Sequence, residues 1–454
     1  MKVKYIMNGI GLLLAICLLG CQNFLEKKSD ARLLVPKTLA DLQGIMDDFV
    51  QMNVNGSPSY GQSSCDDFFI PETLLSPLSQ FARDQYCWKK FDYLYPNDWS
   101  KSYLPIYNAN LVLELLDKVE RTAANARDWD NVKGSALFYR SFYNFLLTGQ
   151  HGLAYDEATS EVDPGIVLRL SSDFNVKSVR SSVSECLRQS IADAQGAASL
   201  LPNDPVVSLR PSKAAAYGQL ARIYLYMRNY NEALRYAEEC LKLKSTLMDL
   251  NGDGDLLGLD LPVSFRKFNK ETIFYSEMND AFAPISSSFA KIDPLLLASF
   301  DNNDLRRRAY FMLNGSFYHF KGNYSSSGVL FSGIATDEMY LIRSESKAKT
   351  GNLTGAMQDL NFLLQKRWRN TVSYNPIVAL DQAEALVKIR AERRKELLMR
   401  GLRWLDLKRY NKEGAGIRLE RTFRGEVFRL EPNADFYALP LPKDILELAG
   451  IPQN

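Results

Sequence analysis

The chain has 454 residues, 46% of them hydrophobic and 11% aromatic, enough apolar material for a large folded core. Its 55 basic and 53 acidic residues leave a formal charge of +2, a near balance that argues against a nucleic-acid partner, since such a binder carries a basic excess or stripe. Six cysteines without a C-x-x-C pair, and two histidines, His151 and His319, without a partner at ligand spacing, argue against a zinc site.

The first element is a leader. Lys2 and Lys4 precede an apolar run that ends at Gly20 and is too short to span a bilayer, which takes about 20 apolar residues. The run stops at Leu18-Leu19-Gly20-Cys21 and turns polar, with Glu26, Lys27 and Lys28. Leu-Leu-Gly-Cys resembles the bacterial lipobox, whose thiol takes a thioether-linked lipid. Residues 1–20 are therefore expected to be a lipoprotein signal peptide, Cys21 the lipidated first residue of the mature chain, 21–36 a flexible tether and 37–454 a single folded body. No other segment approaches 18 apolar residues without a charge.

Next comes a long stretch, 54–97, rich in Gly, Pro, Ser, Asn and aromatic residues, followed by helical patterns over Tyr103–Val119, Trp129–Thr148 and Ser182–Leu200. From Ser212 the periodicity places Tyr217, Leu220, Ala221 and Tyr224 on one face, turns at Arg228-Asn229, and resumes with Ala233, Tyr236, Ala237 and Cys240. Small residues at 221 and 233 let two antiparallel helices approach, which is the tetratricopeptide pattern. A second copy runs from Thr336, with Gly351-Asn352 at its turn and Ala356 at the position of Ala233. The fold class is accordingly all-α, a scaffold of tetratricopeptide-like helical hairpins with long irregular loops. Such loops on a rigid support often carry recognition.

Between the two copies, 250–323 is a second loop-rich stretch. Asp249, Asn251, Asp253, Gly254, Leu256 and Asp260 fit a twelve-residue calcium loop, but position 12 is Asp where Glu normally grips the ion, and Pro262 spoils the following helix. A solvated turn is the favoured reading and no metal or cofactor is expected. Cys65 and Cys87 could form a disulfide in an exported protein, whereas Cys186 and Cys240 lie in helical patterns as candidate buried thiols.

The last long element is ERRKELLMRGLRWLDLKRY from Glu392 to Tyr410, read as a helix packed on the scaffold, with pairs from Glu392 and Glu396 to Lys388 and Arg400. Together with the lipobox and Phe24-Leu25-Glu26, the stretch Trp99 to Tyr103 with Ile106 and Asn110, the two repeats and Leu439-Pro440-Leu441-Pro442, it resembles the SusD/RagB family of outer-membrane lipoproteins from Bacteroidetes. The chain departs from that pattern at Arg400, where an acidic residue is usual, and at Leu402, where the family has His. The resemblance implies four tetratricopeptide-like helix pairs, a loop-rich half at about 37–330 and a C-terminal half at about 331–454 on one scaffold. It also implies a non-enzymatic, outer-membrane, surface-exposed protein that captures a glycan or other nutrient and caps a SusC-type TonB-dependent transporter.

A sugar offers a face of C–H bonds and a rim of hydroxyls, so its site wants a flat ring with polar groups at the edge. The aromatic loops supply both: Trp88, Tyr95 and Tyr318 are the expected platforms, and Asp67, Arg83 and Asn97 the expected edge groups. Neither a G-x-S-x-G elbow nor a G-x-x-x-x-G-K loop is present. Counting carboxylates leaves a glycosidase pair open, since such pairs are about 5–9 Å apart in space whatever their spacing in sequence. The rival to nutrient capture is an adaptor that uses the same scaffold to hold a protein partner with no small ligand.

Overall fold

The computed structural model describes residues 36–454 apart from 55, 280 and 282, so the leader, Cys21 and nearly all of the tether lie outside the described residues. The longer helices are α1 (Leu39–Met46), α2 (Asp98–Leu116), α3 (Ala126–His151), α4 (Val183–Leu200), α5 (Lys213–Tyr226), α6 (Tyr230–Leu243), α7 (Thr336–Lys349), α8 (Leu353–Gln365), α9 (Gln382–Glu396), α10 (Arg403–Lys412) and α11 (Lys443–Ala449). From α2 to α8 each packs on the next, and α9 returns onto α7.

Local chemistry sets the hairpins. Arg228 and Gly351 take left-handed backbone (φ 62° and 90°), and the next residue in each case, Asn229 or Asn352, caps the following helix by accepting the N–H three residues on. Ala221, Ala233, Ala237 and Ala356 are fully buried, as the two repeats predict. Across the α5/α6 pair the Tyr224 and Tyr236 rings stack at 5.6 Å with planes 5° apart. The main cluster of buried apolar side chains runs from Leu42 to Leu441.

Five two-stranded antiparallel sheets stitch the loops. They pair β1 (Phe68–Phe69) with β5 (Lys291–Ile292), β2 (Pro164–Val167) with β3 (Arg180–Ser182), β4 (Thr272–Phe274) with β8 (Ile334–Ala335), β6 (Phe311–Asn314) with β7 (Phe317–Phe320) and β9 (Leu419–Phe423) with β10 (Glu426–Leu430). The β9/β10 turn has positive φ at both Arg424 and Gly425, the twist that a two-residue hairpin loop favours.

The C-terminal charges pair differently from the local scheme. Glu392 and Glu396 both receive Arg306, at 2.6 and 3.0 Å, and Arg367 also reaches Glu396 at 2.8 Å, while Lys388 turns to Glu384. Arg400 lies beyond the end of α9, in the turn with Met399 and Gly401 at positive φ, and pairs with Asp337 at 2.8 Å. Long-range pairing wins because α9 presents both glutamates to the protein interior, where an unmatched carboxylate is costly. Burial and the Arg367 and Arg306 guanidiniums act oppositely on Glu396, and the guanidiniums hold it down at about 2. Cys65, Cys87, Cys186 and Cys240 are all free and buried, so Cys65 and Cys87 are not joined.

Candidate functional site

The six expected contact residues do not converge. Asp67 is buried, and its carboxylate accepts the Gln62 side-chain amide at 3.1 Å and the Met399 N–H at 3.4 Å. Burial pushes its pKa up, against the pull of Arg394. Trp88 is 9% exposed, donates from Nε1 to the Ser64 carbonyl at 2.9 Å, and lies under the Arg421 guanidinium at 4.6 Å. Asn97 is the N-cap of α2: its Oδ1 accepts the Ser100 N–H at 2.9 Å, and Ser100 Oγ accepts the Asn97 N–H in return. Arg83 is half-buried and ties up its own loop through the Ser76 and Leu78 carbonyls and Gln80 Oε1. These four residues shape the loop. Apart from Asp67 Oδ1, which is buried without a hydrogen-bond partner, their engaged polar atoms bond within the protein, so the expected rim of Asp67, Arg83 and Asn97 and the platform at Trp88 are not what these side chains present.

Most of the neighbouring rings are also internal. Tyr60, Phe81, Phe91 and Tyr93 form one cluster with centroids 5.3–6.1 Å apart. The structure does bring the two aromatic segments of the sequence together, but through Phe69 and Phe317, whose rings meet edge to face at 5.3 Å. Tyr318, the next residue of β7, is half-buried and faces the other side of the strand, packed against an apolar cluster.

Tyr95 is different. It is 74% exposed and stands at the rim of a cleft of about 430 Å³, within the range of small-ligand sites. The floor is Trp99 against Tyr103, with rings 4.6 Å apart, and the Tyr103 hydroxyl donates to the Val167 carbonyl at 2.7 Å, fixing α2 to β2. Burial drives the Tyr103 pKa well up, so this hydroxyl keeps its proton. Lys101 from the first turns of α2, and Arg169 and Ser178 from the β2/β3 loop, complete the polar edge. Arg169 is held by the carbonyls of Val176 at 2.6 Å and Asp173 at 3.0 Å. The Tyr95 N–H donates to Asp444 at the start of α11 at 3.1 Å, which anchors the rim to the C-terminal segment. An exposed ring above a partly apolar floor, with hydroxyl and cationic donors beside it, can stack a flat C–H face and bond its periphery. Sequence reasoning missed Lys101, Tyr103 and Arg169 as lining groups. The first two sit in the quoted Trp99–Tyr103 stretch; Arg169 carried no local signal.

A metal finds little here. Among the described residues Glu271, Asp337 and Glu396 can bring one oxygen each within 4.8 Å of one another, but Arg367, Arg400 and Arg306 already bond them. In the loop 249–260, Asp249 pairs with Lys366, Asp253 with Lys270 and Asp260 with Arg308, so three of its carboxylates face separate cations. These pairings favour the solvated turn over a calcium cage.

The SusD family model matches residues 301–438, and a second family model, described as starch-binding associating with outer membrane, matches residues 23–225. No curated protein matches. Among solved structures, a SusD superfamily protein from Bacteroides fragilis superposes with a TM-score of 0.74 at 19% identity, covering 91% of this chain and 98% of its own. One from Bacteroides thetaiotaomicron gives 0.72 at 21%, covering 92% and 99%. A SusD-like carbohydrate binding protein from Bacteroides vulgatus gives 0.66 at 21%, covering 91% and 97%. At these identities the structures establish a shared fold. No helix among the described residues is long and apolar enough to cross a membrane.

Proposed function

The chain belongs to the SusD family, and from that premise we propose that it binds a saccharide in the cleft beside Tyr95 and passes it to a SusC-type TonB-dependent transporter of the outer membrane. The observation that carries this reading is the exposed Tyr95 ring over the Trp99/Tyr103 floor. Phe69 and Phe317 supply a second aromatic contact on the loop side, and Tyr318, next along β7, points to the other face of that strand. The role is capture without catalysis. The shared fold with a SusD-like carbohydrate binding protein supports the ligand class.

Cys21 is the proposed attachment point, where several acyl chains would hold the body stably at the membrane surface, as one chain alone would not. Mass spectrometry of the protein from its host should find Cys21 at the mature N-terminus carrying the lipid mass.

Calorimetry of the purified protein against a panel of oligosaccharides tests the cleft. At least one should bind, and Tyr95→Ala should weaken it by about tenfold, the loss of one stacking ring. Silence across the panel, with a partner protein still recovered by pull-down, would replace this reading with the adaptor.

A further inference from the structure

The cleft continues. A second concavity of about 340 Å³ shares Val167 and Arg169 with it, and a third of about 500 Å³ shares Ser178 with the first and Lys177 with the second. Together they make a trough along the β2/β3 loop, running from Tyr95 and Ile445 at the start of α11 to residues 449–452 at and beyond its end. Many arginines elsewhere are matched with acid, as Arg140 is with Asp193, Arg222 with Glu338, Arg343 with Asp359 and Arg403 with Asp66, while Arg83, Arg228 and Arg421 bond only carbonyls or an amide.

Along the trough several cations without a carboxylate partner lie close together. Lys101 and Lys177 are exposed and have no hydrogen-bond or ion-pair partner among the described residues. Arg169 is held by main-chain carbonyls and by Ser178 Oγ at 3.5 Å. Arg180 likewise bonds the carbonyls of Pro164, Gly165 and Pro452 and Asn454 Oδ1, with no carboxylate.

No Asp or Glu lines the first two concavities. The nearby acids are engaged by neutral donors: Asp444 by the N–H groups of Tyr95 and Ile445, Asp173 by Asn175, and Glu114 by the Ser171 and Ser172 hydroxyls and the Ser172 N–H. The third concavity holds Glu161, bound to Arg188 and Ser184, and Glu185, which caps the Ser182 N–H at 2.8 Å. Those acids keep their own charge, but Lys101, Arg169 and Lys177 line the first two concavities and no carboxylate does, so an anion that enters meets the cations directly.

We infer that the saccharide taken by this trough is anionic, an oligosaccharide with repeated carboxylate or sulfate groups that Lys101, Arg169 and Lys177 meet in turn while one ring stacks at Tyr95. This rests on the proposed saccharide-binding function and narrows it to a charge class. The guanidinium of Arg169 still has donors to spare beyond those its carbonyl partners take, and each lysine offers three.

The test is calorimetry of the purified protein with three probes: an oligogalacturonate for carboxylates, a heparin-derived oligosaccharide for sulfates, and a neutral malto-oligosaccharide. At least one acidic probe should bind more than tenfold tighter than the neutral one at low salt. Its affinity should fall as salt rises from about 50 to about 500 mM, where the screening length drops to a few ångströms. The double substitution Lys101→Gln with Lys177→Gln should weaken acidic binding by about five- to tenfold, the sum of two exposed ion pairs, with the melting temperature unchanged. Neutral binding that depends on Tyr95, with acidic probes no tighter, overturns the charge inference and leaves saccharide capture standing. Acidic binding indifferent to the double substitution also overturns it. Failure of all three probes, together with silence across the wider panel, removes the function it rests on.

Discussion

Asp98 Oδ2 accepts the main-chain N–H of Ser59 at 2.6 Å, joining the first turn of α2 to the start of the short helix Tyr60–Ser64. The same carboxylate takes the Tyr60 N–H at 2.9 Å, Ser59 Oγ at 3.1 Å and Gln150 Nε2 at 3.2 Å, all neutral donors. Burial outweighs these bonds and pushes its pKa up from 3.8 to about 6. A raised folded-state pKa means that the contribution is full below about pH 4 and is lost as pH rises through 6. Asp98→Asn should therefore cost most stability near pH 4, and its cost should shrink by on the order of 2–3 kcal/mol by pH 7. Urea midpoints of the two proteins at both pH values measure that difference. A constant gap would show that Asp98 is charged throughout.

The α5–α7 junction rests on another buried contact. Arg222 bonds Glu338 at 2.6 Å with both side chains at most 2% exposed, and it also donates to the Gly333 carbonyl at 2.7 Å. Removing one partner strands a charge, which costs about 3–5 kcal/mol, whereas replacing both with apolar residues can be nearly neutral. Glu338→Gln should be strongly destabilising in guanidinium unfolding, and Arg222→Met with Glu338→Leu should recover most of the loss. Equal damage in the double variant would mean that the Gly333 bond dominates.

The scaffold was legible because its determinants are local. Arg228-Asn229 and Gly351-Asn352 mark their turns within two residues, and Ser182 caps α4 through Glu185 as the start at that residue predicts. Helix α2 begins at Asp98, ahead of the expected Tyr103, because the Asn97/Ser100 capping box lies upstream of the apolar run. The loops were not legible in the same way. Whether an aromatic loop residue is core or rim depends on what arrives from far along the chain: Arg421 covers Trp88, and Arg394 approaches Asp67 at 3.8 Å. Arg169 reaches the cleft only because β2 pairs with β3 and Tyr103 grips Val167. Composition carries no trace of such meetings.

The loop 249–260 should ignore calcium. Binding would have to displace Lys366 from Asp249 at 3.2 Å and Lys270 from Asp253 at 2.8 Å, and to recruit Asp260, which is paired with Arg308. Millimolar calcium should leave the melting temperature within about 1 °C, because a ligand that does not bind the folded state adds no linkage stabilisation. A rise of several degrees, abolished by Asp253→Ala, would reinstate the cage.

Trp88 and Tyr95 are seven residues apart and should respond to truncation in opposite ways. Trp88 fills a buried niche between the Ser64 carbonyl and the Arg421 guanidinium, and its left-handed backbone (φ 55°) is maintained by that packing. Trp88→Ala should cost about 3–5 kcal/mol, and any saccharide affinity it loses should track the unfolded fraction. Tyr95 makes its one hydrogen bond among the described residues through the backbone, to Asp444, and that bond survives truncation of the ring. Tyr95→Ala should thus change stability by about 0.5 kcal/mol or less while removing most of the binding. Differential scanning calorimetry and saccharide titration on the same two samples separate the roles. A stable Trp88→Ala protein that has lost binding would move the contact ring from the cleft rim into the loop interior.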